Sequence, residues 1–145
     1  MKKTEKKIEE IEFFMSMIPP TVTAQEHKVN TRGKVPRFYD PFALANARED
    51  LMGHLYLYKP KRGFEGFECG VRLTVKWLFP IPNGSKHYNG EYRITKPDTD
   101  NLNKLLKDCM TRVGYWKDDA LVCSEICEKF WAEKPGIYIR IEVIA

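Results

Sequence analysis

Lys96-Pro97-Asp98-Thr99-Asp100-Asn101-Leu102-Asn103-Lys104-Leu105-Leu106-Lys107-Asp108-Cys109-Met110-Thr111-Arg112-Val113-Gly114-Tyr115-Trp116-Lys117-Asp118-Asp119 is the stretch around which the chain is organised. Leu102, Leu105, Leu106, Cys109, Met110 and Val113 recur at spacings of three and four, the narrow apolar stripe of a helix that packs on a sheet. Gly114 stands where a helix ends on a left-handed residue. One pair of aspartates, Asp98 and Asp100, precedes the helical run, and a second, Asp118 and Asp119, follows it.

Working outward, Gly70 to Phe79 alternates: Val71, Leu73, Val75, Trp77 and Phe79 share one side, and Arg72, Thr74 and Lys76 the other. That is a half-buried strand. Leu121 to Trp131 predicts a strand with imperfect alternation. Ile137, Ile139, Ile141 and Val143 alternate with Tyr138, Arg140 and Glu142 in a last strand. Upstream, Ile11 to Met17 predicts a first strand, ended by Pro19-Pro20 because proline cannot donate to a ladder. Asp40-Pro41 is a helix start, with Asp as N-cap and Pro at the first helical position. Leu44, Ala47, Leu51, Leu55 and Tyr58 continue it as an amphipathic stripe. The order is βαβαββ: a single α/β domain over 11–145, a mixed sheet packed by two helices, behind a charged leader at 1–10.

The chain has 145 residues, 43% hydrophobic and 30% charged, ordinary values for a globular domain. Its net charge of +4 permits a polyanionic partner without requiring one. No run approaches the ~18 apolar residues of a membrane span. The N-terminus has no apolar h-region, so the expectation is a cytoplasmic, nucleoid-associated protein with no membrane partner. Four cysteines, Cys69, Cys109, Cys123 and Cys127, lack zinc-site spacing. Cys123 and Cys127 on one strand face would be ~13 Å apart at ~3.3 Å per residue, too far for a disulfide. All four are read as reduced structural thiols.

Asp98 and Asp100 are two apart in a segment that Pro97 keeps extended, which sets both carboxylates on one side. Carboxylates so placed repel unless a cation sits between them, and hard divalent ions prefer such oxygen donors. Asp118 or Asp119 supplies a further carboxylate if the chain doubles back along the helix through Gly114 to Lys117. Each pair taken alone reads more simply as a cap, a dipole partner or a solvated turn. Lys28, Arg32, Lys34 and Arg37 lie in a segment with no acid between His27 and Tyr39, which suits either a solvated loop or contacts to a phosphate backbone.

Taken together, Lys96-Pro97-Asp98-x-Asp100-Asn101-Leu102-x-Lys104, a helix, Gly114, an aromatic pair and Lys117-Asp118-Asp119 resemble the RusA-type Holliday-junction resolvases. Order and spacing match over 96–122, and more loosely elsewhere. The resemblance implies a small homodimeric, Mg2+-dependent endonuclease, with Mn2+ as a substitute, that cuts four-way DNA junctions by paired nicks in recombination, repair or phage DNA processing. By motif position the essential aspartates fall on Asp98, Asp100 and Asp119, and the important lysine on Lys104. Asp118 matches an acid commonly present there. With the metal go Asp98, Asp100 and Asp119, with Asp118 beside them; with DNA go Lys28, Arg32, Lys34, Arg37 and Lys96. The longer leader, the extended loop at 80–95 and the thin basic run before Asp98 depart from the family and bear on junction selectivity. Another Mg2+-dependent nuclease acting on flaps or duplex, or a non-catalytic DNA-binding module of the same fold, are the alternatives.

Overall fold

The computed structural model describes residues 7–22 and 41–145. Strand β1 (Glu10–Met15), helix α1 (Pro41–Tyr58), strand β2 (Val71–Pro80), helix α2 (Thr99–Val113), strand β3 (Val122–Ala132) and strand β4 (Gly136–Val143) follow in that order. A short 3-10 turn, Asp119–Leu121, leads into β3. The βαβαββ reading therefore holds. β1 begins at Glu10, inside the stretch expected as leader, and ends at Met15. The basic segment with Lys28, Arg32, Lys34 and Arg37, and the Asp40 cap, lie outside the described residues.

The sheet order is β1-β4-β2-β3. β4 runs antiparallel to both β1 and β2, whereas β2 and β3 are parallel, with Thr74 opposite Ile126. Parallel neighbours need a crossover connection, and α2 provides it. The alternation at 71–79 is realised in full: Val71, Leu73, Val75, Trp77 and Phe79 are all buried. They face Leu51 and Leu55 of α1 and Leu102, Leu105, Leu106, Cys109 and Met110 of α2 in one core. The opposite face is solvated and laced with ion pairs, Arg140 to Glu10 at 2.7 Å and to Glu142 at 2.9 Å. This is a two-layer structure, with both helices on one face of the sheet.

One polar residue sits within that core. Asn103 is 2% exposed, on the face of α2 turned to the sheet. Its Oδ1 accepts from the Trp77 indole N–H at 3.1 Å, and its amide donates to Glu125 of β3 at 3.2 Å. The four cysteines are free thiols, as expected, although Cys123 is exposed. Burial pushes the Cys109 and Cys127 thiols up to about 11.

The Asn103–Trp77 pair leads to an asymmetric expectation. Asn103→Leu leaves the buried indole N–H without an acceptor and costs ~1–3 kcal/mol. Adding Trp77→Phe removes the orphaned donor, so the Asn103→Leu substitution costs less in a Trp77→Phe background than in the wild type. Urea denaturation of the four proteins of this cycle measures both effects; equal costs in the two backgrounds would contradict the pairing.

Candidate active site

The start of α2 is held by the strand beside it. Lys96–Pro97 is a cis peptide and the Pro97 ring is buried. The Lys129 ammonium of β3 donates to the carbonyl oxygens of Thr95 and Pro97, both at 2.7 Å. Arg93 donates to Thr95 Oγ1 at 3.1 Å and to the Lys96 carbonyl, while its guanidinium lies over the Phe79 and Trp131 rings at 4.3 and 4.5 Å. Burial lowers the proton affinity of both cations, and for Lys129 the neighbouring Arg93 charge adds to it. These contacts fix the backbone leading into Asp98.

Asp98 occupies the N-cap position with extended backbone, but its side chain does not cap the helix. Its carboxylate turns back to the Lys96 ammonium at 3.1 Å. Asp100 lies in the first helical turn, where the helix dipole favours a negative charge. Lys104 follows one turn later on the same flank. Asp98, Asp100 and Lys104 are all exposed, and among the described residues Lys104 makes no ion pair. Asp108, a further turn on, is taken by Arg112 at 3.3 Å and Arg48 at 3.8 Å. This end of α2 thus presents two solvated carboxylates flanked by Lys96 and Lys104.

The second acidic pair lies elsewhere. Gly114 ends α2 at φ 98°, and the chain does turn back. The return is made by β3, however, and Asp119 stands before its first residue. Cys127 Sγ reaches the Thr99 carbonyl at 3.8 Å, and Lys107 Nζ meets Glu125 at 2.5 Å. Glu125, Cys127 and Lys129 are what the reversal brings to the early turns of α2. A helix of 15 residues is ~22 Å long at ~1.5 Å per residue. Asp98 and Asp100 are at one end of it, and Asp118 and Asp119 at the other. Asp118 is also engaged locally, since its Oδ1 accepts from the Ala120 N–H at 2.8 Å and caps the 3-10 turn. Asp119 has no such bond among the described residues.

A divalent ion needs oxygen donors converging from several groups. Among the described residues of one chain, no three acidic, histidine or cysteine side chains gather closely enough to hold one. The expected set of Asp98, Asp100 and Asp119 does not close within a single chain.

Sequence reasoning gives Lys129 and Asn103 no role, and Arg93 enters it only as part of the thin basic run before Asp98. Asn103 carried a usable signal, because it falls three residues before Leu106 and seven before Met110, on the apolar face. An amide there is either buried with partners or a defect. His87, in the loop before α2, stacks on Trp131 at 4.4 Å and bonds Glu91 at 2.9 Å, which makes it a packing residue.

A family model described as Endodeoxyribonuclease RusA matches residues 18–142. A protein of Lactococcus phage r1t named crossover junction endodeoxyribonuclease rusA is 31% identical over 132 residues, spanning 91% of this chain and 95% of that protein. YqaN of Bacillus subtilis (strain 168), named only as an uncharacterized protein, is 32% identical over 84 residues, 52% of this chain and 58% of its own length.

The Lys129 clamp is open to test. Lys129→Met keeps the stem's packing but drops two charge-assisted bonds, with an expected cost of ~1–3 kcal/mol in stability. Amide hydrogen exchange at 94–100 should speed up, while exchange in β4 changes little. Unchanged protection at 94–100 would show that Lys129 does not hold this segment.

Proposed function

The chain belongs to the RusA endodeoxyribonuclease family and is a nuclease that hydrolyses phosphodiester bonds; on that premise we propose that it resolves four-way DNA junctions by paired nicks, as a homodimer, with Mg2+ as cofactor and Mn2+ as a substitute. The observation that carries the reading is the match to a phage protein named for crossover-junction cleavage along nearly the whole of both chains. The local geometry supports it. Two exposed carboxylates at a helix start, Asp98 beside Lys96 and Asp100 one turn before Lys104, form an open surface site suited to a backbone phosphate, whereas a small-molecule enzyme would enclose its substrate.

Each residue has a role in this reading. Asp98 and Asp100 supply negative charge at a position fixed by the Lys129 and Arg93 contacts. Lys104, exposed on the same flank, stabilises charge on the phosphoryl group. Lys96, exposed and paired with Asp98, moves to a backbone phosphate when DNA arrives. Lys28, Arg32, Lys34 and Arg37 extend the contact to the flanking duplex. Asp119 completes the acid set, and Asp118 shapes the turn that carries it. The divalent ion belongs to the reading through the family resemblance, and among the described residues one chain alone does not close a ligand set for it.

Asp100→Asn tests the site. Junction cleavage should fall more than ~100-fold, a loss of at least ~2.7 kcal/mol in transition-state stabilisation. Binding of the same junction, measured by gel shift, should persist or tighten because the cationic surface is untouched. Undiminished cleavage would remove Asp100 from the site. Competition between a four-way junction and a linear duplex of equal sequence tests the substrate: the junction should be cut preferentially, and equal cutting would point to a nuclease of flaps or ordinary duplex.

A further inference from the structure

The loop between β2 and α2 carries an apolar row beside the acid site to which the roles above assign nothing. Ile94 is 92% exposed, more than any other large apolar side chain among the described residues, and Tyr92 is 60% exposed. The backbone that carries them is pinned to β3. The Gly90 N–H donates to the Trp131 carbonyl at 2.8 Å, the Trp131 N–H to the Glu91 carbonyl at 2.8 Å, and the Arg93 N–H to the Lys129 carbonyl at 3.0 Å. Just after Ile94, the Thr95 hydroxyl accepts from Arg93 and the Thr95 carbonyl from Lys129. The Tyr92 ring stacks on Phe130 at 4.8 Å, and its hydroxyl donates to Glu128 at 2.9 Å. The Arg93 guanidinium lies on the other face, over Phe79 and Trp131. Side chains two apart in extended chain share a side, so Ile94 follows Tyr92 outward. A lone exposed apolar residue is ordinary on a protein surface. Here the most exposed one is held four residues before Asp98, a span of at most ~14 Å at ~3.5 Å per residue. That is about four base-pair steps of duplex at ~3.4 Å each. Lys96, between the two, is exposed and paired with Asp98, and Lys86 is exposed earlier in the loop. Two acids of this region are already engaged, Glu128 by Tyr92 and Glu91 by His87 and the Tyr88 N–H.

We propose that Ile94, backed by the Tyr92 ring, is a wedge that enters the base stack close to the phosphate held at Asp98 and Asp100, and that its ligand is the opened base step at a DNA branch point. The inference rests on the nuclease reading and adds to it a means of telling branched DNA from duplex. Pushing an apolar side chain between bases requires unstacking them, and bases already released from continuous stacking give way most easily. At a branch the terminal pairs lack a continuing stack on one side, whereas in linear duplex the full cost must be met. The return is the same in both cases. The Ile94 side chain leaves water, and the exposed Tyr92 ring offers a stacking surface to a displaced base. The difference in cost therefore becomes selectivity. A β-branched side chain on pinned backbone also has little freedom left to lose on insertion. Lys96 supplies a cation for the strand backbone beside the wedge.

The test uses four-way junctions carrying aminopurine, a fluorescent adenine analogue quenched by stacking, at each position within about four base pairs of the branch. Asp100→Asn protein keeps the junction whole. At saturating protein, fluorescence at one or more of these positions should rise several-fold. Asp100→Asn/Ile94→Ala should lose most of that rise while still binding the junction in a gel shift. Asp100→Asn/Ile94→Met should recover it, because the role needs apolar bulk. Asp100→Asn/Leu57→Ala, which truncates a residue 71% exposed on α1, should keep it. In the otherwise wild-type chain, Ile94→Ala should narrow the preference for cutting junction over linear duplex by ~10-fold or more. An equal rise with alanine at 94, or no rise with bound Asp100→Asn, overturns the wedge and leaves the nuclease reading standing. A loss shared by Leu57→Ala, or not restored by methionine, marks a general effect and also overturns it. A protein that neither binds nor cuts branched DNA fails the underlying reading instead, and the wedge falls with it.

Discussion

A single buried amide sets the frame of this molecule. Asn103 takes the Trp77 indole N–H of β2 and donates its own amide to Glu125 of β3. A polar group in an apolar core is stable only when its partners are in place, so this pair of bonds tolerates little sliding of α2 over the sheet. It locks a crossover in which the helix runs against the direction of two parallel strands. The start of α2 then lies at the carboxyl ends of β2 and β3, and its end lies at their amino ends. Everything about the candidate site depends on that polarity: it brings Lys129 and Arg93 to the segment before Asp98, and it leaves Asp119 at the far end.

Much of the fold could be read from the residues. The alternation of Val71 to Phe79, the stripe from Leu102 to Met110 and the positive-φ glycine at 114 each report a local physical demand, and each is met. The Ile137, Ile139 and Ile141 alternation is met as well. What local pattern does not report is pairing. Nothing in β2 or β3 declares that they are parallel neighbours, and nothing in β4 declares that it lies between β1 and β2. The direction of the return after α2 follows from that pairing, and spacing alone left it open. A reversal was expected and exists; the expectation that it could return Asp119 itself mistook which residues the returning strand carries. Lys129 was hidden for the same reason: it works through a contact more than thirty residues away along the chain.

The candidate site was legible only in part. Asp98, Asp100 and Lys104 stood out because a carboxylate pair before a helix, with a lysine one turn on, makes an exposed charged flank, and the structure presents them so. Asp118 and Asp119 were indistinguishable by spacing. The structure separates them through the Ala120 N–H, which Asp118 holds and Asp119 does not. The open acidic surface and the clamp beneath it fit together: Lys129 and Arg93 hold the backbone from which Asp98 and Asp100 project.

The most direct measurement is the anomalous diffraction of crystals grown with Mn2+. The account predicts density for the ion against Asp98 and Asp100 at the start of α2. An ion bound away from both aspartates would contradict it.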